Sequence, residues 1–343
     1  MSSPIPDVQK AWIEVTQGTP KQGLQLKTDW PVSKQLAPGD VLVKIQAAAL
    51  NPPGHKMLRV VPNFLSGRPL AAETDFAGVI VDSKDEEFKV GDEICGFLDL
   101  VWQRKARQGT LAEYVRVPIR FLMRRPPNLS VIEAAGVSLA GLTALQALDE
   151  AKLEEGQSVL INGGSTAVGS FAIQIAKARG ATVTAVASGK NENYQFIDYT
   201  TVGPLHEYLF KNPPTTKYNV FVEALGIFDP SLYTFSKPYL APNGIFVSAG
   251  FPQPPMKLSS IWDASRIASI KFLPSFLTGF KPAYLVTSVH HKRERISRMH
   301  DLLAEGKVKP LIDSVYEFED VLKAYERILT KRATGKLVVK VYV

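Results

Sequence analysis

The sequence predicts an α/β protein in which a β-rich part is followed by a doubly wound parallel sheet. The chain has 343 residues, 45% hydrophobic and 21% charged, which is enough for two domains with sizeable cores. Residues 11–125 contain short β-branched runs broken by Gly and Pro, with no helical pattern between them. From about Ser130 onward, helical stretches alternate with apolar strands, which is typical of a sheet covered by helices on both faces.

The β-rich part is predicted from five apolar runs: "AWIEV", "DVLVKIQAAAL", "FAGVIVD", "DEICGFL" and "LAEYVRV". The second part has two long helical stretches, "SVIEAAGVSLAGLTALQAL" and "SFAIQIAKARG", and five apolar strands: "SVLIN", "TVTAVA", "NVFVEAL", "GIFVSAG" and "SIKFL". The last stretch holds a basic helix, the run "VYEF", the helix "EDVLKAYERIL" and the strand "KLVVKVYV". We expect this final strand to rejoin the β-rich part.

Composition narrows the function classes. Cys95 is the one cysteine, so an intramolecular disulfide and a multi-cysteine zinc cluster are excluded. The sequence has no signal-peptide pattern and no window of roughly 20 apolar residues, so we expect a cytoplasmic protein without a membrane span. The net charge is +7, and the one dense basic cluster, residues 290–298, lacks interleaved aromatic residues. This pattern favours a solvated helix face over a nucleic-acid site.

A glycine-rich turn, "GGSTAVG", follows the strand "SVLIN" and precedes a helix that we expect to begin near Val168. Free amides and the dipole at a helix start favour an anion there. Aligned on Gly169, the pattern G-x-G-x-x-G has threonine at its middle glycine. The hydroxyls of Ser165 and Thr166 are donors that can bind phosphate oxygens. By itself the turn fits a nucleotide site and a plain helix cap equally well.

The end of the next strand, "AVASGKN", indicates the nucleotide. An acid that binds the ribose diol of NAD is expected about 20 residues after the turn, and the sequence has none there. Ser188 and Lys190 offer a hydroxyl and a cation instead, which suit the 2′-phosphate of NADPH. Together with the turn they favour NADPH as the cofactor, while a surface lysine is the alternative interpretation of Lys190.

An ordered set of motifs extends from about Gln9 to Val343: "AAALNPPGHK", "ETDFAGVIV", "FKVGDEICG", "QGTLAEYV", "EAAGVSLAGLTALQAL", "VLINGGSTAVG", "AVASGKN" with "IDYT", "GIFVSAG" and "TGKLVVKV". With these motifs the chain resembles the medium-chain dehydrogenase/reductase superfamily, in its zinc-free quinone oxidoreductase and enoyl reductase branch. The resemblance implies a GroES-like β-rich catalytic domain at residues 1–124 and 281–343. It also implies a Rossmann-type doubly wound nucleotide domain at residues 125–280, with the cofactor in the cleft between the two.

The resemblance also implies the cofactor contacts. The residues of the glycine-rich turn lie at the pyrophosphate: Ser165, Thr166, Ala167 and Val168. The residues around the 2′-phosphate are Ser188, Gly189, Lys190, Asn191 and Tyr199. Those on the nicotinamide side are Ala249, Gly250 and Phe251, and Pro53 is a further cofactor contact. Leu139 and Thr143 are expected in the substrate pocket.

Zinc-dependent relatives bind their catalytic metal through a cysteine, a histidine next to a glutamate, and a further Cys or Asp. Asn51 and Asp75 stand at the first two of these places. Glu73 and His55 are the other candidate ligands, since carboxylate and imidazole suit zinc. We predict no metal site. Hydride transfer without metal polarisation requires an electrophile that is already activated, such as a quinone or the β-carbon of an enone.

Lys56 is the predicted catalytic residue, because a cation stabilises negative charge that develops on a carbonyl oxygen. The matching lysine of fungal trans-acting enoyl reductases faces the nicotinamide. The alternative interpretation of Lys56 is a cofactor contact without chemistry. Asn51 is the second predicted site residue, and we expect it to fix the loop and pocket by hydrogen bonds rather than to transfer a proton.

Three departures from the family pattern affect these interpretations. Leu139 occupies a place where some enoyl reductases have a threonine at the pocket. Gly54 replaces the acid of N-P-x-D-x-K, which removes a partner of Lys56. The link from Asn191 to "IDY" is too short for the helix and turn that relatives have there, so either a compact loop replaces the helix or cofactor binding is impaired.

The leading functional hypothesis is an NADPH-dependent reductase of quinones or α,β-unsaturated carbonyls. One alternative is a trans-acting enoyl reductase of a polyketide pathway. Another is a non-catalytic family member that senses NADPH or binds RNA. We also expect a homodimer, joined through the apolar edge strand "SIKFLPSF".

Overall fold

The structure is a computed structural model that describes residues 4–188, 195–226, 230–249, 265 and 282–341. The chain forms two compact units: the first unit comprises residues 1–140 and 291–343, and the second unit comprises residues 141–290. The predicted α/β class is confirmed, because the first unit is rich in antiparallel strands and the second contains a parallel sheet. Within the described ranges, no helix has both the length and the apolar character needed to cross a membrane.

The strands of the first unit form two sheets, of three and seven strands, within the part of the chain that the structure describes. The smaller has the order β2-β1-β4: β1 Val8–Glu14, β2 Leu24–Pro31 and β4 Leu70–Ala71. The larger has the order β15-β16-β3-β5-β6-β8, with β7 also paired to β3: β3 Asp40–Ala49, β5 Asp75–Ser83, β6 Glu93–Phe97, β7 Tyr114–Pro118, β8 Leu122–Arg124, β15 Ile312–Glu317 and β16 Lys336–Lys340.

β3 lies inside the larger sheet, and its almost continuous apolar sequence "DVLVKIQAAA" explains why most of its side chains are buried. β16 pairs antiparallel with β3, and Val338 lies opposite Ala49. The prediction that the final strand rejoins the β-rich part is therefore confirmed. This pairing brings the start of β16 next to the end of β3, where the candidate site begins.

The helices assigned to the first unit are short, apart from one near the chain end. They are α1 Pro20–Gly23, α2 Pro52–Val60, α3 Asn63–Ser66, α4 Leu100–Ala106, α5 Val131–Ala135, α11 Arg293–Ala304 and α12 Val321–Leu329, with 3-10 turns at Ile119–Phe121 and Phe318–Asp320. α6 Ser138–Glu150 continues from the first unit into the second. α2 starts with two prolines directly after Asn51, an arrangement suited to the first helical turn. α12 packs Val321, Ala324 and Tyr325 into the same core cluster as Leu58 of α2.

The second unit contains one six-stranded parallel sheet in the order β11-β10-β9-β12-β13-β14. Its strands are β9 Ser158–Asn162, β10 Thr182–Ala187, β11 Gln195–Asp198, β12 Tyr218–Glu223, β13 Leu240–Ala249 and β14 Ala283–Thr287. Its helices are α7 Ala167–Ala178, α8 Tyr199–Val202, α9 Leu205–Lys211 and α10 Ser231–Thr234. The chain builds outward in both directions from β9 and β12, so the strand order reverses between these two strands. In open α/β sheets this is where ligands bind, at the carboxyl ends of the strands.

The segment after β10 is as short as its sequence indicated. β11 pairs in parallel with β10 and already begins at Gln195, with only seven residues between the two strands. Residues 189–194 and the proposed edge strand "SIKFLPSF" lie outside the described residues.

Candidate active site

The glycine-rich turn joins β9 to α7 at the switch point of the second unit. The amides of Gly163 and Gly164 donate to the carbonyl of Val186 in β10, at 3.0 and 2.8 Å. Thr166 caps α7, because its Oγ1 accepts from the amide of Gly169 at 3.0 Å and donates to the carbonyl of Gly163 at 2.8 Å. The helix begins at Ala167, one residue before the predicted start. The hydroxyl of Thr166 is therefore used within the turn.

The start of α7 fits an anion. The first amides of a helix have no intrahelical acceptor, and those of Ala167 and Val168 have no hydrogen-bond partner within the described ranges. The side chain of Ser165, partly exposed beside them, is likewise unpartnered in the part of the chain described. These donors suit the pyrophosphate of a dinucleotide, so the residues present fit a nicotinamide cofactor here.

A buried polar pair holds the two strands that border the switch point. The Nδ2 of Asn162, at the end of β9, donates to Glu223 Oε2 at 2.6 Å, and Glu223 ends β12. The other carboxylate oxygen of Glu223 accepts from the amide of Leu225 at 2.7 Å. The pair therefore fixes the segment after β12 next to the glycine-rich turn. The sequence did not predict this pair, because a glutamate in "VEAL" has no motif that assigns it to the turn at the end of the neighbouring strand.

The other predicted cofactor residues divide into two groups. Ser188 directly follows β10, and Ala249 is the last residue of β13, so both lie at the carboxyl edge of the sheet near the turn. Tyr199 begins α8, directly after β11, and its side chain is 53% exposed, which leaves its hydroxyl accessible to a ligand. Gly189, Lys190, Asn191, Gly250 and Phe251 lie outside the described residues.

In the first unit, Asn51, Asp75 and Lys336 form a buried group that we call the ammonium cluster. The Nζ of Lys336 lies 2.7 Å from Asn51 Oδ1 and 2.8 Å from Asp75 Oδ2. The Nδ2 of Asn51 donates to the same oxygen of Asp75 at 3.1 Å. The second oxygen of Asp75 accepts from the amide of Leu139 at 3.0 Å. Both polar atoms of the Asn51 side chain are thus engaged inside the protein.

A second buried contact lies beside this cluster, under the start of α2. Glu73 accepts hydrogen bonds from the hydroxyl of Tyr325 at 2.6 Å and from the amide of Asn51 at 3.1 Å. A Cβ on Gly54 would lie 2.3 Å from Oε1 of Glu73, so position 54 has no room for the acid that relatives carry there. The carboxylate of Glu73, from the connection between β4 and β5, fills that space. The backbone of Glu73 is left-handed (φ 62°), and no other non-glycine residue among residues 51–75 has a positive φ.

Burial changes the pKa values of Glu73 and Tyr325 in this contact. It raises the pKa of Glu73 to about 8, against the lowering effects of Tyr325 and Lys336. Burial also raises the pKa of Tyr325 well above its ordinary value. At neutral pH the Glu73 side chain is therefore mostly protonated, and the site holds one fewer negative charge than its composition suggests.

Lys56 lies on α2, half-buried, in a positively charged environment. Burial lowers its pKa, and the nearby charge of Lys331 lowers it further. Burial and then Lys56 lower the pKa of His55 to about 4, so His55 is neutral at pH 7. The side chains of Lys56, Arg59 and Lys331 have no acidic partner among the described residues. These three cationic side chains therefore favour an anion, or an oxygen that acquires negative charge, near Lys56.

The remaining predicted residues of the site fall in separate places. Pro53 is the second residue of α2, next to Gly54. Leu139, in the first turn of α6, is partly exposed and contacts Asp75 through its amide. Thr143 lies on the next turn of the same helix, within the second unit, and is buried. Tyr325, Lys331 and Lys336 were missed by the sequence analysis, although Lys336 stands in the quoted motif "TGKLVVKV".

Two family descriptions match the chain: "Alcohol dehydrogenase GroES-like domain" at residues 37–127 and "Zinc-binding dehydrogenase" at residues 191–339. The trans-enoyl reductase poxH of Penicillium oxalicum is 30% identical over 97% of this chain and 97% of its own. The 2-methylene-furan-3-one reductase of Solanum lycopersicum is 32% identical over 98% of this chain and 80% of its own.

A solved structure of a quinone oxidoreductase from Coxiella burnetii is similar, with a TM-score of 0.76 and 26% identity, covering 97% of this chain and 99% of its own. The GroES-like and Rossmann-type architectures are thereby confirmed. The chain belongs to the medium-chain dehydrogenase/reductase superfamily and is an oxidoreductase of that family, whose members bind a nicotinamide cofactor.

Proposed function

We propose that the protein is an NADPH-dependent, zinc-independent reductase that transfers hydride to a quinone or an α,β-unsaturated carbonyl compound. The observation that carries this proposal is the half-buried Lys56, which lies beside Lys331 and has no acidic partner among the described residues. Relatives named as a trans-enoyl reductase, a 2-methylene-furan-3-one reductase and a quinone oxidoreductase support the substrate class.

In this proposal, residues of the second unit bind the cofactor, and a residue of the first unit stabilises the acceptor. In the second unit, the amides of Ala167 and Val168 and the hydroxyl of Ser165 would bind the pyrophosphate. When bound, the nicotinamide supplies the hydride. In the first unit, Lys56 would hold a positive charge and a proton at Nζ, where they stabilise the developing oxyanion of the acceptor. The neutral imidazole of His55 adds no competing charge.

Zinc does not fit the residues present, although one matching family description names it. The oxygens of Asn51 and Asp75 that stand at the metal-ligand places are already bonded to the ammonium of Lys336. No group of three or more His, Cys, Asp or Glu side chains within the described ranges is arranged to hold a metal. Burial raises the pKa of the Cys95 thiol to about 12, so Cys95 does not supply a thiolate at neutral pH. Carbonyl polarisation is therefore assigned to Lys56.

Replacing Lys56 by methionine tests the assignment. Loss of one preorganised charge at a developing oxyanion costs about 100- to 1,000-fold in turnover, so we expect at least about a 100-fold loss in NADPH oxidation with a small quinone and enone panel. The Kd for NADPH, measured by fluorescence titration, should change by less than about threefold, because the residues proposed to bind the phosphates belong to the second unit. Lys21→Met, at an exposed lysine of α1 in the same unit, is the matched control. A K56M enzyme with wild-type turnover would refute the catalytic role.

Cofactor preference is a separate prediction. Ser188 follows β10 without an acid, Tyr199 has an accessible hydroxyl, and Lys190 stands between them in sequence. A charge-assisted hydrogen bond contributes roughly 1.5–3 kcal/mol, so NADPH should bind at least about tenfold more tightly than NADH. Lys190→Ala should weaken NADPH and leave NADH nearly unchanged, whereas Lys211→Ala, at an exposed lysine of α9, should alter neither. Equal losses for both cofactors in K190A, measured by calorimetry, would contradict the assignment.

A second candidate is a trans-acting enoyl reductase that works on substrates tethered to a carrier domain. The full-length similarity to proteins named trans-enoyl reductase, at 30–31% identity, favours it. The two candidates differ in their substrates. Fast turnover of a carrier-tethered enoyl thioester together with slow turnover of free enones would favour the second candidate.

A further inference from the structure

The side chain of Lys336 is buried within the first unit. Its side chain is 2% exposed and that of Asp75 is 0% exposed. The amine has two oxygen partners, Asn51 Oδ1 and Asp75 Oδ2, within 2.8 Å. A buried carboxylate is strongly destabilising without a positive partner, and Lys336 is the residue that pairs with Asp75 here, at 2.8 Å.

The same cluster fixes the orientation of Asn51. Its Oδ1 accepts from Lys336, and its Nδ2 donates to Asp75 and to the carbonyl of Ala49 at 3.3 Å. Asn51 is also the residue before α2, and its carbonyl accepts from the amide of Gly54 at 3.1 Å. The backbone amide of Asn51 donates a hydrogen bond to Glu73 Oε2 at 3.1 Å. The first turn of α2 is therefore attached to buried polar groups on both sides, and Lys56 lies on the next turn.

The family resemblance puts Asn51 and Asp75 at places where zinc-dependent relatives carry metal ligands. The cation that contacts both residues is the side-chain ammonium of Lys336, which lies on β16 near the far end of the sequence. We propose that Lys336 is a positioning residue that takes the place of a catalytic metal as the organising cation, holding Asn51 and the start of α2 so that Lys56 faces its substrate. This inference rests on the proposed function, because the role of Lys56 does.

Three variants test the proposal in the full-length protein. Lys336→Met removes the cation and leaves the Asp75 carboxylate buried without its partner. Asp75→Asn combined with Lys336→Met removes both charges and preserves the shapes of the side chains. Lys340→Met is the matched control, because Lys340 lies on the same strand and makes an exposed pair with Glu317 at 3.3 Å.

We expect K336M to lower the melting temperature strongly, and D75N/K336M to regain at least half of that loss, since no buried charge is left unpaired. Turnover of D75N/K336M at saturating NADPH and acceptor should nevertheless stay at least tenfold below wild type. Its Kd for NADPH should remain within twofold, because the residues proposed to bind the phosphates belong to the second unit. K340M should match wild type in all three measurements.

Wild-type turnover in D75N/K336M would overturn the positioning role, and so would a turnover loss matched by an equal loss of NADPH affinity. Stoichiometric zinc in purified wild-type protein, by elemental analysis, would also overturn it. If the wild type fails to oxidise NADPH with every acceptor tested, the proposed function fails, and hydrogen exchange then decides the present inference. Exchange of the amides at residues 50–60 that is at least tenfold faster in D75N/K336M than in K340M would support it, and unchanged exchange would overturn it.

Discussion

Replacing Gly169 by alanine is expected to abolish NADPH binding, with at least a hundredfold increase in Kd. A Cβ at this position would lie 2.1 Å from the carbonyl oxygen of Gly163 and 3.0 Å from the Cα of Gly164. These atoms cannot retreat, because the amides of both residues are bonded to Val186. The start of α7 must therefore move away from the turn, and the free amides of Ala167 and Val168 move with it.

The control for this variant is Gly203→Ala. Gly203 has a backbone conformation (φ 71°, ψ −152°) that is almost restricted to glycine, with open space where a Cβ would lie, so alanine there costs about 1–3 kcal/mol of stability. We expect G203A to lower the melting temperature by a few degrees and to bind NADPH normally. Fluorescence titration and thermal melting of both variants are the measurements. A G169A protein with wild-type affinity would show that the turn does not hold the cofactor.

Stability should fall as the pH rises from about 4.5 to about 8, and Glu73 should be a main cause. Its pKa is about 8 in the folded protein, against an ordinary value of 4.5, and the causes are burial first and then the charge of Asp75, opposed by Tyr325 and Lys336. The folded protein therefore binds this proton more tightly than the unfolded chain does. The contribution of the protonated side chain is fully present below pH 4.5 and is lost as the pH rises to about 8, by roughly 4–5 kcal/mol at most.

Glu73→Gln isolates this effect, because glutamine stays neutral at every pH and keeps nearly the same shape. The difference between wild-type and E73Q unfolding free energies, measured by urea denaturation at pH 5 to 9, should change in favour of E73Q with rising pH and level off above about pH 8. Glu319→Gln, at an exposed partner of Lys10, should follow the wild-type curve. A pH-independent difference between wild type and E73Q would contradict the assignment.

The architecture was predictable because its signals are local. Apolar runs and their spacing indicated the strands of both units, and the pattern "SVLIN" followed by glycines located the turn between β9 and α7. The helix start was predicted one residue late, since Thr166 caps α7 through its side chain. The apolar run "KLVVKVYV" indicated a final strand that rejoins the β-rich part, although its pairing with β3 was not predicted. In each case the deciding interactions lie within one element or between strands with complementary patterns.

The interior of the site was not predictable, because its partners are far apart in sequence. Tyr325 and Glu73 are 252 residues apart, and Lys336 and Asn51 are 285 apart. One sequence contains no signal that pairs a particular lysine with a particular asparagine over such a distance. Gly54 illustrates the difference, since its missing acid was visible in the sequence, while its cause, the space taken by Glu73, required the fold.

The ammonium cluster also sets an order of events during synthesis of the chain. Asp75 and Lys336 are 261 residues apart, and the whole second unit, residues 141–290, lies between them. At about 5–20 residues per second, a ribosome needs roughly 15 to 50 seconds to add the lysine after the aspartate. During that time Asp75 has no cation to pair with in the interior. The contiguous second unit can complete its sheet first, and the first unit closes around its charges only after translation has reached β16.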